Sequence, residues 1–204
     1  MTSIVPRFTR FAAGLAALAA SVGGATAVVA APWTVQVRNA AGQPLADAVV
    51  AVELRGKPAR ASGAKAEMGQ RERQFTPQLL VVQTGTAVNF PNFDTVRHHV
   101  YSFSPIKVID IKLYSGTPAE PIVFDKPGVA TLGCNIHDRM SAHIVVVDTP
   151  VFARTDAAGN ASFDLPAGEH QLRIWHSSRK APTLQGQVLA VAAAGGQTIV
   201  ALTE

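Results

Sequence analysis

The single cysteine of this 204-residue chain, Cys134, opens the run Gly133-Cys134-Asn135-Ile136-His137-Asp138-Arg139-Met140, and a histidine pair, His98-His99, stands upstream of it. One thiolate, imidazole nitrogens and a thioether are the ligand types of a mononuclear copper centre built for electron transfer. Copper passing between Cu(I), which favours soft sulfur, and Cu(II), which favours imidazole, needs both donor types in a frame that does not rearrange. A lone cysteine cannot form an internal disulfide, so it is free, paired with another molecule, or a metal ligand. The neighbouring histidine and methionine favour the metal reading. Taken singly, each of them reads as a packing or turn residue.

Catalysis is not expected. An ion closed by four protein ligands offers no open position to a substrate, and no Ser/His/Asp or paired-carboxylate arrangement stands out. Cys134 and His137 as a nucleophile and base are less well explained by their spacing than by coordination. His143, His170 and His176 have no companion ligands and read as ordinary strand or loop histidines, and Met68 as a plain loop methionine.

The elements that must position these side chains are strands. Short apolar or alternating runs cover residues 34–37, 48–54, 79–82, 87–90, 129–132, 143–147, 161–165, 171–175, 187–192 and 198–202. Turn signals such as Gly42-Gln43-Pro44, Gly85-Thr86, Pro127-Gly128 and Gly159-Asn160 separate them. No stretch beyond the N-terminal segment keeps a 3.6-residue period, so an all-β chain with few helices is expected. The length permits one large sandwich or two small ones.

The segment from Phe75 to Asp148 resembles the cupredoxin family. Leu79-Leu80-Val81-Val82, the Gly85-Thr86 turn and Ala87-Val88-Asn89-Phe90 lead through Asn92-Phe93-Asp94 to the histidine pair, and the cysteine loop follows. The resemblance implies a Greek-key β-sandwich and a copper ion bound by His98, Cys134, His137 and Met140. The Cys-x2-His-x2-Met spacing is similar to the short ligand loop of amicyanin-type cupredoxins. His98 matches the upstream ligand because Val100 falls where the family has the valine of its His-Asn-Val run. His99 then stands at the family's asparagine, which ties the two ligand segments together by hydrogen bonds; it takes that role or serves as a substitute ligand.

The flanks resemble another pattern. Thr34 to Val52, with its Gly42-Gln43-Pro44-Leu45 turn, is similar to the opening of carboxypeptidase-regulatory-like or transthyretin-like sandwiches, and Thr155 to Ile174 to their second half. The expected division is therefore a signal peptide at 1–31, a discontinuous Ig-like sandwich at 32–58 and 150–204, a linker loop at 59–74 and the cupredoxin at 75–149. Two consecutive β domains with an N-terminal extension are the alternative. The combined pattern around His98 and Cys134 resembles bacterial exported proteins labelled methylamine utilization or plastocyanin-like.

Arg7 and Arg10, the uncharged run from Phe11 and the small residues Ala25-Thr26-Ala27 to Ala31 read as a secretory signal peptide cut between Ala27 and Ala31. An uncleaved membrane anchor competes with that reading. Cleavage removes two of the 18 basic residues and none of the 14 acidic ones, so the net charge falls from +4 to +2. Dispersed basic residues with few aromatics among them do not suggest nucleic-acid binding. The expectation is a periplasmic, monomeric one-electron carrier with transient partners of the c-type cytochrome or dehydrogenase class. A copper storage, sensing or delivery protein using the same ligands is the alternative.

Overall fold

The computed structural model describes residues 30–137 and 139–203. The expected signal peptide lies outside them except for Ala30 and Ala31, which already belong to the first strand, with Ala31 opposite Leu165. A cut at the Ala27 end of the expected range leaves that strand whole. Seventeen strands, β1 to β17 in chain order, and no helix occur among the described residues.

Strand pairing divides the chain by sequence. β1 (Ala30–Arg38) lies between β14 (Asn160–Pro166), antiparallel, and β17 (Gly196–Ala201), parallel. A second sheet runs β13 (Phe152–Arg154), β2 (Val49–Glu53), β15 (Gly168–Trp175), β16 (Gln185–Val191). Between the two sheets Trp33, Val35 and Val37 meet Val50, Val52, Leu172 and Ile174 in one core. The alternation in β1 explains this: every second side chain is buried, so one face of the strand is apolar.

The strands between residues 65 and 147 pair only with one another. β6 (Leu79–Gln83), β12 (Ser141–Val147), β11 (Gly128–Gly133), β8 (His98–Ser104) and β9 (Lys107–Tyr114) form a five-stranded sheet. β10 (Ile122–Phe124), β7 (Thr86–Asn89) and β3 (Lys65–Glu67) form the facing sheet, and β4 (Gly69–Arg71) makes a hairpin with β5 (Gln74–Thr76). Phe75, Phe90 and Phe124, each under 3% exposed, anchor the core between them. Truncating any of these to Ala costs about 3–5 kcal/mol.

Residues 59–74, expected as a linker loop, are in part structural. β3 pairs in parallel with β7, and Met68, expected as a loop methionine, is fully buried in the same core. A three-residue strand with charged ends such as β3 carries no readable alternation, and its partner β7 is distant in sequence.

The two cores meet across a third apolar layer. In β12, Ala142, Ile144 and Val146 face the central core, while Val145 and Val147 face outward onto Val49 and Ala51 of β2 and onto Trp175. Period-two alternation thus gives both faces of β12 and β2 an apolar neighbour. Their unbroken hydrophobic runs follow from that double burial.

Candidate metal centre

Asn92 and Asp94 build the approach to the first histidine. The buried Asn92 side chain donates to the carbonyls of Val96 and Tyr114, at 2.9 and 3.0 Å, and accepts from the Asp94 amide. This closes the turn and fixes it to the end of β9. Asp94 then accepts from the amides of Glu72 and Arg73, at 2.7 and 2.9 Å, which steadies a hairpin turn where both residues have positive φ. The same carboxylate lies 2.8 Å from His98 Nε2. Burial alone would raise the Asp94 carboxyl. Hydrogen bonds from the Arg73 amide, the His98 ring and the Glu72 amide outweigh burial and hold it below its usual value.

A carboxylate at Nε2 selects the tautomer. With the ring proton on Nε2 and directed at Asp94, His98 Nδ1 presents a free lone pair. That nitrogen lies 4.0 Å from Cys134 Sγ.

A bulge in the β8–β9 ladder between His98 and Val100 lets consecutive histidines both be buried while facing different partners. His99 turns to β9, with Nε2 2.6 Å from Asp110 Oδ1. The tie expected of His99 between the two ligand segments runs instead to the neighbouring strand, and His99 is not among the converging ligand atoms.

The cysteine loop leaves β11 at Gly133 and returns into β12 at Ser141. Its end is tightened by the Met140 amide donating to the His137 carbonyl at 2.9 Å. Gly133 lies against the Tyr101 ring: a Cβ there would stand 2.5 Å from it, so any larger residue would have to displace that ring. Cys134 is free and 4% exposed, and Met140 is packed beside it in the central core at 1%. The His137 ring stands edge-on to His98, centroids 5.1 Å apart.

His98, Cys134 and His137 bring one ligand atom each to within 4.8 Å of one another. The donor set fits copper, and one further observation supports the fit. His137 Nδ1 is buried with no hydrogen-bond partner among the described residues, a state that is costly unless something else occupies its lone pair.

Behind His98, the Tyr114 hydroxyl donates to the Phe90 carbonyl at 2.6 Å and receives the Gln70 side-chain amide. Burial pushes this phenol up to about 12, with Gln70 opposing and Cys134 adding to the rise. It therefore stays a neutral donor. Asp94, Asp110 and Tyr114 carry no signal in composition; only the Asn-x-Asp approach marked Asp94 in advance.

No family model matches the chain, and no curated protein matches it. Similar solved structures include a purple cupredoxin from Nitrosopumilus maritimus, 22% identical, covering 41% of this chain and 99% of that one, TM-score 0.35. A reduced amicyanin variant is 17% identical over 48% of this chain and 98% of its own, TM-score 0.37. A copper-containing nitrite reductase from Thermus scotoductus is 21% identical over 46% of this chain, TM-score 0.39. The chain spans 26% of the length of that reductase. The described residues are all-β, and the central part is a sandwich of the five-stranded and three-stranded sheets.

Proposed function

We propose that this protein is a periplasmic one-electron carrier holding one copper ion through His98, Cys134, His137 and Met140. The observation that carries the proposal is the convergence of His98, Cys134 and His137 within 4.8 Å, with His137 Nδ1 buried and without a partner among the described residues. Bound copper supplies the one-electron Cu(I)/Cu(II) couple. The chain's own part is to keep the donors fixed. Asp94 holds the His98 proton on Nε2, β11 and β12 clamp both ends of the loop, and the apolar core around Cys134 and Met140 excludes water.

Electron exchange needs an approach to the site. His137 is the partly exposed ligand of the three, and its loop neighbour Ile136 is 48% exposed. Leu113 borders Ile136, and Phe93 and Val96 on the His98 approach are exposed as well. A small apolar surface of this kind suits a transient redox partner, a c-type cytochrome or a dehydrogenase, at the low end of interface size. Burial of Cys134 favours retention of the ion over its delivery.

Titration of the metal-free chain with Cu(II) tests the proposal. One equivalent should produce an intense thiolate-to-copper band that bleaches on reduction and returns on oxidation. A stoichiometry other than one, or no such band, overturns it.

A further inference from the structure

A cleft of about 350 Å³ lies where the two sandwiches meet, apart from the cysteine loop and next to the start of β12. Its walls come from both cores: Ser141 and His143 from β12, Arg154 from β13, and Trp175 at the end of β15. Its volume falls in the range of small-molecule sites.

The decisive feature is Trp175. The residue is 2% exposed, and its indole Nε1 is buried with no hydrogen-bond partner among the described residues. The large majority of buried polar side-chain atoms are paired, so an unpaired donor on a residue that lines a cleft is a candidate partner for an acceptor from outside. Trp33 shows the ordinary arrangement, its Nε1 donating to Thr198 Oγ1 at 3.0 Å.

Of the remaining polar groups, Gln78, Ser141 and Ser177 can donate or accept, and Arg154 supplies the positive charge. Arg154 spends one nitrogen on Asp47, leaving the rest of its guanidinium free of protein partners among the described residues. The Thr131 hydroxyl lies 3.2 Å from His143 Nδ1. Asp47 is the one carboxylate on the walls, and Arg154 already neutralises it. Pro77, Leu79 and Ala142 add apolar surface beside the indole.

We infer that this cleft binds a small organic carboxylate, its oxygens accepting from Trp175 Nε1 and Arg154 and its apolar body lying against Leu79 and Ala142. The inference does not depend on copper. By contrast, in the cavity of about 410 Å³ beside Glu53 and Arg173 the cation is already paired with Glu53, and the further charged group on its walls is the carboxylate of Asp148.

The test uses the full chain, isotope-labelled and free of Cu(II), with sodium benzoate as the probe. Two tryptophans give two indole N–H resonances, and Trp175→Phe assigns them. Benzoate should move the Trp175 resonance saturably and leave that of Trp33 in place. Arg154→Gln should weaken the affinity about tenfold, the scale of a hydrogen bond to a charged group. An unchanged Trp33 resonance reports that the variant is folded. The inference is overturned if benzoate leaves the Trp175 resonance unmoved across the millimolar range. It is equally overturned if neutral benzamide binds as well as benzoate, or if Arg154→Gln binds benzoate as tightly as the parent.

Discussion

Asp94 Oδ2 lies 2.8 Å from His98 Nε2, and the same carboxylate holds the amides of Glu72 and Arg73. One side chain therefore sets the tautomer of the proposed ligand His98 and stabilises a hairpin on the other side of the approach loop. The two jobs are separable by substitution. Asp94→Asn keeps an oxygen for the turn but can present an N–H to His98 Nε2, driving the ring proton onto Nδ1. Asp94→Ala removes both functions.

Copper affinity should accordingly fall about 10- to 100-fold in both variants, the usual scale for losing the partner of a ligand histidine. Thermal stability should fall more in Asp94→Ala than in Asp94→Asn. Competition titration and thermal unfolding check the two halves. Equal affinity in Asp94→Asn and the parent would show that the tautomer does not matter.

The ligands should separate by role. Cys134→Ser should lose the visible band, because a hydroxyl supplies no thiolate at neutral pH. Met140→Leu should retain copper and shift the reduction potential upward, since a weak axial donor to Cu(II) is lost while the core volume is kept. His98→Ala should abolish the band and His99→Ala should leave it, because His99 is turned to Asp110 on β9. The reverse result would reassign the upstream ligand. Visible spectra and voltammetry read all four variants.

Much of the fold was legible because its strands obey local rules. The runs at 34–37, 48–54 and 143–147 became β1, β2 and β12, since apolar alternation and flanking turn residues report burial directly. β9 went unread although Ile109 and Ile111 alternate with Asp110 and Lys112. It is an edge strand, and its charges mimic a solvated loop. β3 and β4 had no local signal, as their stability comes from β7 and β5 and from the burial of Met68. In the site, ligand types and loop spacing were visible, whereas the pairing of His98 with Asp94 and of His99 with Asp110 depends on a bulge that no spacing announces.

Stability should depend on pH through His143. Its ring stands edge-on to Trp175, centroids 5.0 Å apart, and burial holds it below its ordinary value of 6.5. Folding thus favours the neutral ring, and the unfolded chain takes up the proton first as pH falls. The contribution of His143 is complete above the unfolded value and is lost as pH falls through the folded one. Denaturant midpoints should decline below about pH 6.5. His143→Gln should flatten that decline, and parallel curves for parent and variant would assign it to other groups.

The last prediction concerns the division of the chain. Val52 N donates to Val151 O at 2.8 Å, and Thr149 Oγ1 donates to Val52 O at 2.7 Å, so the chain leaves the flanking sandwich and re-enters it at one place. An insertion at such a point is tolerated because loop-closure entropy grows by only about 0.6 kcal/mol per doubling of length. Replacing residues 57–147 with a short Gly/Ser linker should therefore leave a folded β protein with no copper band. A cut at the expected boundary, residue 75, would strand β3 without β7 and leave β4 paired with Gln74 alone. The shortened chain should also be less stable than the parent, since Val49, Ala51 and Trp175 lose the cover of Val145 and Val147. Circular dichroism and cooperative denaturant unfolding read the result. If the shortened chain is unfolded while residues 57–150 alone fold and bind copper, the flanks depend on the central sandwich for their structure and are not an independent folding unit.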